Sequence, residues 1–560
     1  MLICVKEDSG MSIVYTIHEP IQLMSPVKHK LSFSGGFGEL RSNHFHAGLD
    51  IRSSHTAYPD QILSAQKGFI SKIDIKSDGY GKSVFIQHPG GYTTVYGHLE
   101  RLRPDLEARI KEIQTKEEAF EVEVKFTEDE FPVNASEFFA YMGNTGASRG
   151  AHLHFELRKT ATNEILDPLE FGLGVEDRIA PVIKRVKIYG FGHDGFLKDE
   201  KIIPKSKLIQ PISIHGDFLG IAIDAADKNN QSWITTGLKH IRLYVDETLV
   251  YEYHLDSWHP EDARYMNAHI DFHNKVKSLG HFHRCYKLPG NCLPIYKNII
   301  NDGLVAFQPG VEHKIRIEIS DAFDNKTQEV FSIKKSEQPV EMVTSCVGDM
   351  VLYNQPYQWD FGFGQINFAE GTLYESTPIV PDSFNNLLKT AYSPWLGIKA
   401  SGVPIHKKFQ ISIVPTKILN PELKSKSYIA LKSGLESRCI PGSVWKGDTL
   451  MGSHNQMGFF SIMVDTIAPN ITPVTFRYDL RKAWSFKFRI KDNIPSTKIS
   501  QEVKYKAYID GKWILMEHDA KTRTIRHEFE PDLVPGKHEL VIVAQDERLN
   551  QRTYKAFFVK

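Results

Sequence analysis

Three short segments of this 560-residue chain carry metal-ligating side chains at spacings that could converge on one ion. In His152-Leu153-His154-Phe155-Glu156-Leu157, polar and apolar residues alternate. A strand would therefore send Leu153, Phe155 and Leu157 into a core and both imidazoles to the opposite face. In His46-Ala47-Gly48-Leu49-Asp50, a histidine and a carboxylate stand four apart around a glycine that permits a sharp turn. His46, Asp50 and one of the two strand histidines would form a His2Asp set of the kind zinc accepts at ~2.0–2.2 Å, with a fourth position left for water. In Thr93-Thr94-Val95-Tyr96-Gly97-His98-Leu99, alternation directs Thr94, Tyr96 and His98 to one side and so adds another imidazole. Spacing alone is unspecific among 24 histidines, because His-x-His recurs at His44/His46 and His281/His283.

Other motifs are weaker. Gly81-Lys82-Ser83 imitates the end of a phosphate-binding loop, but Lys76 stands where its first glycine belongs, so nucleotide binding is rejected. No His-Glu-x-x-His occurs, which excludes a thermolysin-type helical site. Asp224-Ala225-Ala226-Asp227-Lys228-Asn229-Asn230 could bind calcium, yet it lacks the EF-hand glycine and terminal glutamate and reads as an acidic turn. His254, His259, His269, His273, His281 and His283 fall in an aromatic, loop-like insertion and are expected to pack rather than ligate.

The elements that must position these groups are mostly strands. Asp177-Arg178-Ile179-Ala180-Pro181 recurs as Asp465-Thr466-Ile467-Ala468-Pro469, and each copy closes with a His, an alternating strand, an Asp and an Asn: His313, Asp321 and Asn325, then His538, Asp546 and Asn550. This repeat predicts two β-sandwich modules of immunoglobulin-like type, at 176–335 (with an insertion at about 254–308) and 465–560. Residues 336–464 read as an additional β domain, 31–175 as the domain holding the chemistry, and 1–30 as an N-terminal segment. Helix is expected chiefly at Pro104 to Thr115, with Leu106, Ile110 and Ile113 on one face. It opens a charged insertion, about 103–136, that is expected to wall the cleft.

Composition narrows the partners. Lys+Arg and Asp+Glu are both 68, so no global field draws the chain to nucleic acid or an anionic membrane. No apolar run approaches the ~18 residues of a transmembrane helix, and the start MLICVKEDSG shows neither the basic segment nor the apolar core of a secretory leader. The five cysteines form no CxxC pair; Cys285 and Cys292 are close enough in sequence for a loop disulfide, which spacing does not establish.

Taken in order, the three segments resemble the lysostaphin-like or LytM-type zinc endopeptidases. The resemblance is carried by His46-x-Gly-x-Asp50, by Tyr96-Gly97-His98-Leu99, and by Gly143-Asn144-Thr145-Gly146 leading to His152-Leu153-His154-Phe155-Glu156, and it covers about residues 31–172. It implies an open antiparallel β-sheet catalytic domain within a mainly β chain, followed by the β-sandwich modules. It further implies Zn2+ held by His46, Asp50 and His154, with His98 and His152 as catalytic histidines. The implied substrates are peptidoglycan stem or cross-link peptides, and the implied location is the cell envelope (periplasm) or outside the cell. Some family members place a tyrosine shortly before the first ligand; Gly38 to Asn43 contains none, leaving Arg41, Asn43 or Tyr96 to contribute instead. The long β-rich C-terminal region is similar to that of Bacteroidetes-type secreted members, and its modules are expected to bind cell wall or protein partners. Two alternatives stand beside this reading: a non-catalytic peptidoglycan-binding or scaffold protein, and a peptidase acting on protein substrates.

Overall fold

The computed structural model describes residues 21–560 apart from 55, 57, 229, 231–234, 337–347, 386–390, 401 and 435, together with the backbone of two paired strands, Ile3–Lys6 and Ile13–Thr16. The chain is mainly β and its first domain is built on a 12-stranded sheet. Its principal strands are β1 (Leu49–Arg52), β2 (Gly68–Ile75), β3 (Lys82–His88), β4 (Tyr92–Leu102), β5 (Phe138–Met142) and β6 (His152–Lys159). They pair antiparallel in the order β2-β3-β4-β6, with β1 against the start of β6. Alternation along β6 does what period 2 requires: Leu153, Phe155 and Leu157 are fully buried in one core with Tyr96, Val84 and Ile73. Ile21, Leu23 and Val27 join that core, so the packed domain begins ahead of residue 31.

The helix α1 (Pro104–Glu117) carries proline in its first turn and buries Leu106 and Ile110 on the sheet, with Ile113 packed beside them. The rest of the charged insertion corrects the expectation of a cleft wall. Strands Val122–Lys125 and Pro132–Val133 both pair with β2, two strands removed from β4, where they extend the sheet at its far side.

Three further bodies follow, each with two sheets closed over its own core. In the first, a sheet containing Val182–Phe191 and Phe218–Lys228 faces one containing His240–Val245, Glu312–Ser320 and Lys326–Lys335. Asp224 and Asp227 lie within the strand Phe218–Lys228 rather than in the acidic turn expected of them. The second body, from Asp349 to Val464, has six- and five-stranded sheets, and the third, from Asn470 to Val559, has two four-stranded sheets. Cys285 and Cys292 are free thiols, so the loop disulfide is not formed. No helix among the described residues is long and apolar enough to cross a membrane.

The bodies share surfaces that matter for the site. Phe37, Phe45 and Ala47, which flank His46, belong to the core of the first sandwich rather than to that of the sheet below them. Phe45 is fully buried against Trp258 and His269, with ring centroids 6.3 and 6.0 Å away. The insertion at 254–308 is thus a packing device, and its Ser257–Trp258 strand pairs with Ile165–Leu166 of the 12-stranded sheet. From the other side, the last sandwich reaches the loop before β6: Lys521 Nζ bonds the carbonyls of Asn144 and Ser148. Lys82 pairs with Glu517 at 2.5 Å and Lys506 with Glu118 at 2.6 Å. Replacing Phe45 with alanine should remove about 3–5 kcal/mol of stability through lost burial and the remaining cavity. Chemical denaturation measures that loss, and a zinc titration of the folded fraction should show weakened uptake because the segment presenting His46 has lost its anchor.

Candidate metal centre

Strand register brings the three ligand candidates together. His154 lies opposite Asp50 in the β1–β6 pair and opposite Gly97 in the β4–β6 pair. Asp50 Oδ1 stands 2.9 Å from His154 Nδ1 and 3.0 Å from His46 Nε2, and the two ring nitrogens are 3.1 Å apart. All three side chains are buried. Gly48 makes this possible by close approach, not by the sharp turn expected of it: a Cβ there would lie 2.1 Å from the Phe155 carbonyl oxygen, and its φ is not among the positive ones.

His98 and His152 stand beside this cluster, with ring centroids 4.8 Å apart; His98 lies 5.9 Å from the His154 ring, and His152 Nε2 lies 3.5 Å from Asp50 Oδ1. The route taken by His98 differs from the expected alternation. Tyr96 pairs with Phe155 in the core, so an unbroken pleat would turn His98 the same way, into that core. Instead β4 bulges: Lys82 lies opposite Leu99 and Val84 opposite Tyr96, leaving one extra residue on β4, and His98 takes φ +62°. That backbone state, unusual for a non-glycine residue, swings the imidazole onto the metal face. Tyr96 remains in the core with its hydroxyl accepting from Ala65 N, so it does not replace the missing tyrosine.

Each imidazole is oriented through its outer nitrogen. His46 Nδ1 donates to Gly36 O at 2.8 Å, His98 Nδ1 to Thr145 O at 2.8 Å, and His152 Nδ1 to Gly150 O at 2.8 Å. His154 Nε2 donates to Glu156 Oε1 at 2.7 Å. These bonds leave His46 Nε2, His154 Nδ1, His98 Nε2 and His152 Nε2 for the interior of the site, as ligation and proton transfer require. Sequence reasoning named Arg41 only as one of three stand-ins for the missing tyrosine and did not assign Glu156, Tyr80 or Arg158 as supporting residues. Glu156, fully buried, also accepts from Tyr80 at 2.5 Å and from Arg158 at 2.6 Å, and Tyr80 stacks on His154 at 5.2 Å. Arg41 donates to Asp50 Oδ2 at 2.8 Å, fixing the oxygen that faces away from the histidines. The signal for Glu156 was present, since it continues the polar face of His152 and His154; Tyr80 and Arg41 lie in irregular segments that carry no such period.

The electrostatics suit a cation. Burial works against the Asp50 carboxylate, but His46 and the hydrogen bonds from His152, His154 and His46 hold it far below the usual range. Burial likewise opposes charge on His154, yet its bonds to Asp50 and Glu156 raise it to about 9. Burial lowers His46, and burial with the neighbouring His154 and His152 pushes His98 down to about 3. A proton on His154 Nδ1 thus occupies the meeting point of three donors: one carboxylate and two imidazoles. This is a donor set that fits zinc, for which a divalent ion would exchange that proton.

Residues 44–115 match the family model described as Peptidase family M23, and residues 349–465 match that of the Zu5-like domain. The first match contains His46, Asp50 and His98, and β6 lies beyond it. An "uncharacterized metalloprotease" of Haemophilus influenzae is 29% identical over 111 residues, which are 20% of this chain and 18% of that protein. The chain therefore spans under a fifth of the length of that curated relative. Among solved structures, the catalytic domain of the prophage-encoded M23 protein EnpA from Enterococcus faecalis is 23% identical, covering 25% of this chain and 92% of that one, with a TM-score of 0.19. The lysostaphin catalytic domain from Staphylococcus simulans is 20% identical, covering 24% and 87%, with a TM-score of 0.18. The sheet bearing the four histidines and Asp50 thus includes a segment, residues 44–115, that matches the M23 peptidase family, and β6 adds His152 and His154 to it.

Because the folded-state value of His154 is raised, the metal-free protein carries that proton at neutral pH and loses it only near pH 9. Zinc uptake at pH 7 should therefore release about one proton. Apparent affinity should climb about tenfold per pH unit through the window above neutrality and level off beyond the His154 value. Calorimetry in buffers of different ionisation enthalpy reads the proton count directly, and a count of zero would show that His154 already binds as the neutral ring.

Proposed function

We propose that this chain is a zinc-dependent endopeptidase that hydrolyses peptide bonds in the stem or cross-link peptides of peptidoglycan. The observation that carries the reading is the set of four histidines whose outer nitrogens are all tied to carbonyl or carboxylate oxygens, three of which bring their inner nitrogens within 3.5 Å of the buried Asp50 Oδ1 while the fourth, His98, stands beside them. His46, Asp50 and His154 would hold the ion. A zinc ion there supplies Lewis acidity, polarising a carbonyl and lowering the pKa of the attacking water.

The remaining chemistry belongs to the chain. His98 Nε2 and His152 Nε2 would take a proton from the attacking water and return one to the leaving amine. His152 keeps partial exposure, so one side of the cluster is open for a peptide to approach. The substrate class rests on the resemblance of the His46, His98 and His152 segments to lysostaphin-like enzymes, and a cell-envelope or secreted location would follow from it. The C-terminal sandwiches would bind cell wall or a protein partner.

The test uses the zinc-reconstituted full chain and purified peptidoglycan. Mass spectrometry of muropeptides should reveal new amino termini, and a chelator should abolish them. His154→Ala should lose both metal and turnover, whereas His152→Ala should keep about one zinc per chain and lose about 10^2-fold or more in rate. A zinc-loaded protein inert on every wall type and on ordinary peptides would instead indicate the binding or scaffold role. Cleavage of peptides lacking D-residues alone would redirect the substrate to proteins.

A further inference from the structure

Two clusters of three aspartates, separate from the His46, Asp50 and His154 cluster, are built to one plan. Asp177, Asp227 and Asp321 bring carboxylate oxygens within 4.8 Å of one another, and so do Asp465, Asp492 and Asp546. Every one of the six is more than nine-tenths buried, Asp227 at 4% exposure and Asp492 at 6%.

The supporting hydrogen bonds repeat between the clusters. Asp321 Oδ1 accepts from Phe323 N at 2.8 Å and Asn325 N at 2.9 Å, and its Oδ2 accepts from Asn325 Nδ2 at 2.8 Å. Asp546 accepts in the same way from Arg548 N at 2.8 Å, Asn550 N at 2.9 Å and Asn550 Nδ2 at 2.8 Å. The asparagine then reaches the backbone of the linker aspartate: Asn325 Nδ2 to Asp177 O at 3.3 Å, and Asn550 Nδ2 to Asp465 O at 3.0 Å. The linker aspartates cap their own turns, Asp177 accepting from Ile179 N at 3.2 Å and Asp465 from Ile467 N at 3.0 Å.

What these bonds leave over is informative. Asp177 Oδ2 and Asp227 Oδ1 in one cluster, and Asp492 Oδ1 in the other, are enclosed by protein and accept no hydrogen bond. An enclosed carboxylate oxygen without a donor is strongly disfavoured. Burial, reinforced by the charges of the other aspartates in each cluster, pushes the Asp227 and Asp492 carboxyls up to about 7. A cation would relieve both penalties together. An all-oxygen, three-carboxylate donor set suits a hard ion of calcium type and not zinc.

We infer that each cluster is a calcium site that fastens an interdomain linker to the sandwich it enters. Asp177 lies between the catalytic sheet and the first sandwich, in a cavity also lined by Gly36, Phe37 and Asp167 of the catalytic domain. Asp465 lies between the second and third sandwiches, where its amide bonds Lys426 O at 3.0 Å and Arg548 Nη1 bonds Ser427 O at 2.8 Å. The first site also adjoins the metal centre: Thr236 donates to Asp227 at 2.8 Å and packs on Gly36, whose carbonyl orients His46.

The test uses the full chain, stripped of metal and reloaded with one equivalent of zinc, then dialysed against calcium. Two calcium ions should bind per chain; Asp227→Asn and Asp492→Asn should each bind one, and the double variant none. Calcium should raise the melting temperature of the parent protein by about 5 °C and leave that of the double variant unchanged. In chelator the near-isosteric variants should melt at or above the parent temperature, because an uncompensated buried charge has been removed, and this shows that they fold. No binding at millimolar calcium, or two ions retained by the double variant, overturns the assignment.

Discussion

A single buried carboxylate organises the candidate metal centre. Asp50 lies on a strand in the middle of the sheet, and both of its oxygens are engaged, one by Arg41 and the other by the imidazoles of His46 and His154. An anion in that position is tolerable only while cationic or hydrogen-bonding partners surround it, and their loss would leave an uncompensated charge in the interior. The same requirement explains Glu156, a fully buried second carboxylate paired with His154, Tyr80 and Arg158, which burial would raise and these partners bring down to about 2. His154 thus sits between two buried anions, and its orientation is fixed before any ion arrives.

Holding the site takes more than the sheet that carries it. His46 lies on a segment whose neighbours Phe37, Phe45 and Ala47 are packed into the first sandwich, so the ligand is positioned by two bodies at once. The loop that accepts from His98 at Thr145 and meets His152 at Ser148 and Gly150 is in turn bonded by Lys521 of the last sandwich. The long β-rich region is therefore continuous with the site in a mechanical sense: one end anchors the first ligand, the other braces the loop behind both non-ligand histidines.

Much of this was legible where the physics is local. The alternation of Leu153, Phe155 and Leu157 has period 2, and only one side of a sheet can be buried that way, so the placement of His152 and His154 followed directly. The helix from Pro104 was legible for the same kind of reason. His98 was legible as a residue of interest but not in its path, because a bulge is a property of two strands together and leaves no periodic trace in one. The aspartate at position 227 read as part of a turn, since its partners Asp177 and Asp321 are distant in sequence and only the closed sandwich brings the three together. The repeat of Asp, Ile, Ala and Pro that reveals the modules was read for architecture, although the same residues place the linker aspartates.

The backbone of His98 bears on whether the site works or merely persists. Holding a non-glycine residue at positive φ costs on the order of 1–3 kcal/mol and survives where surrounding structure insists on it. Here the bulge in β4 and the bond to Thr145 O enforce the strain, and what they accomplish is to carry an imidazole from the core face to the metal face. A domain that served only to bind or to scaffold would gain nothing from that displacement, since an apolar side chain at position 98 in an unbroken pleat would fill the core without strain. The cost is intelligible if His98 handles a proton beside the ion, and the strained strand is in this sense stronger support for catalysis than the ligand set, which a purely structural metal site would also need.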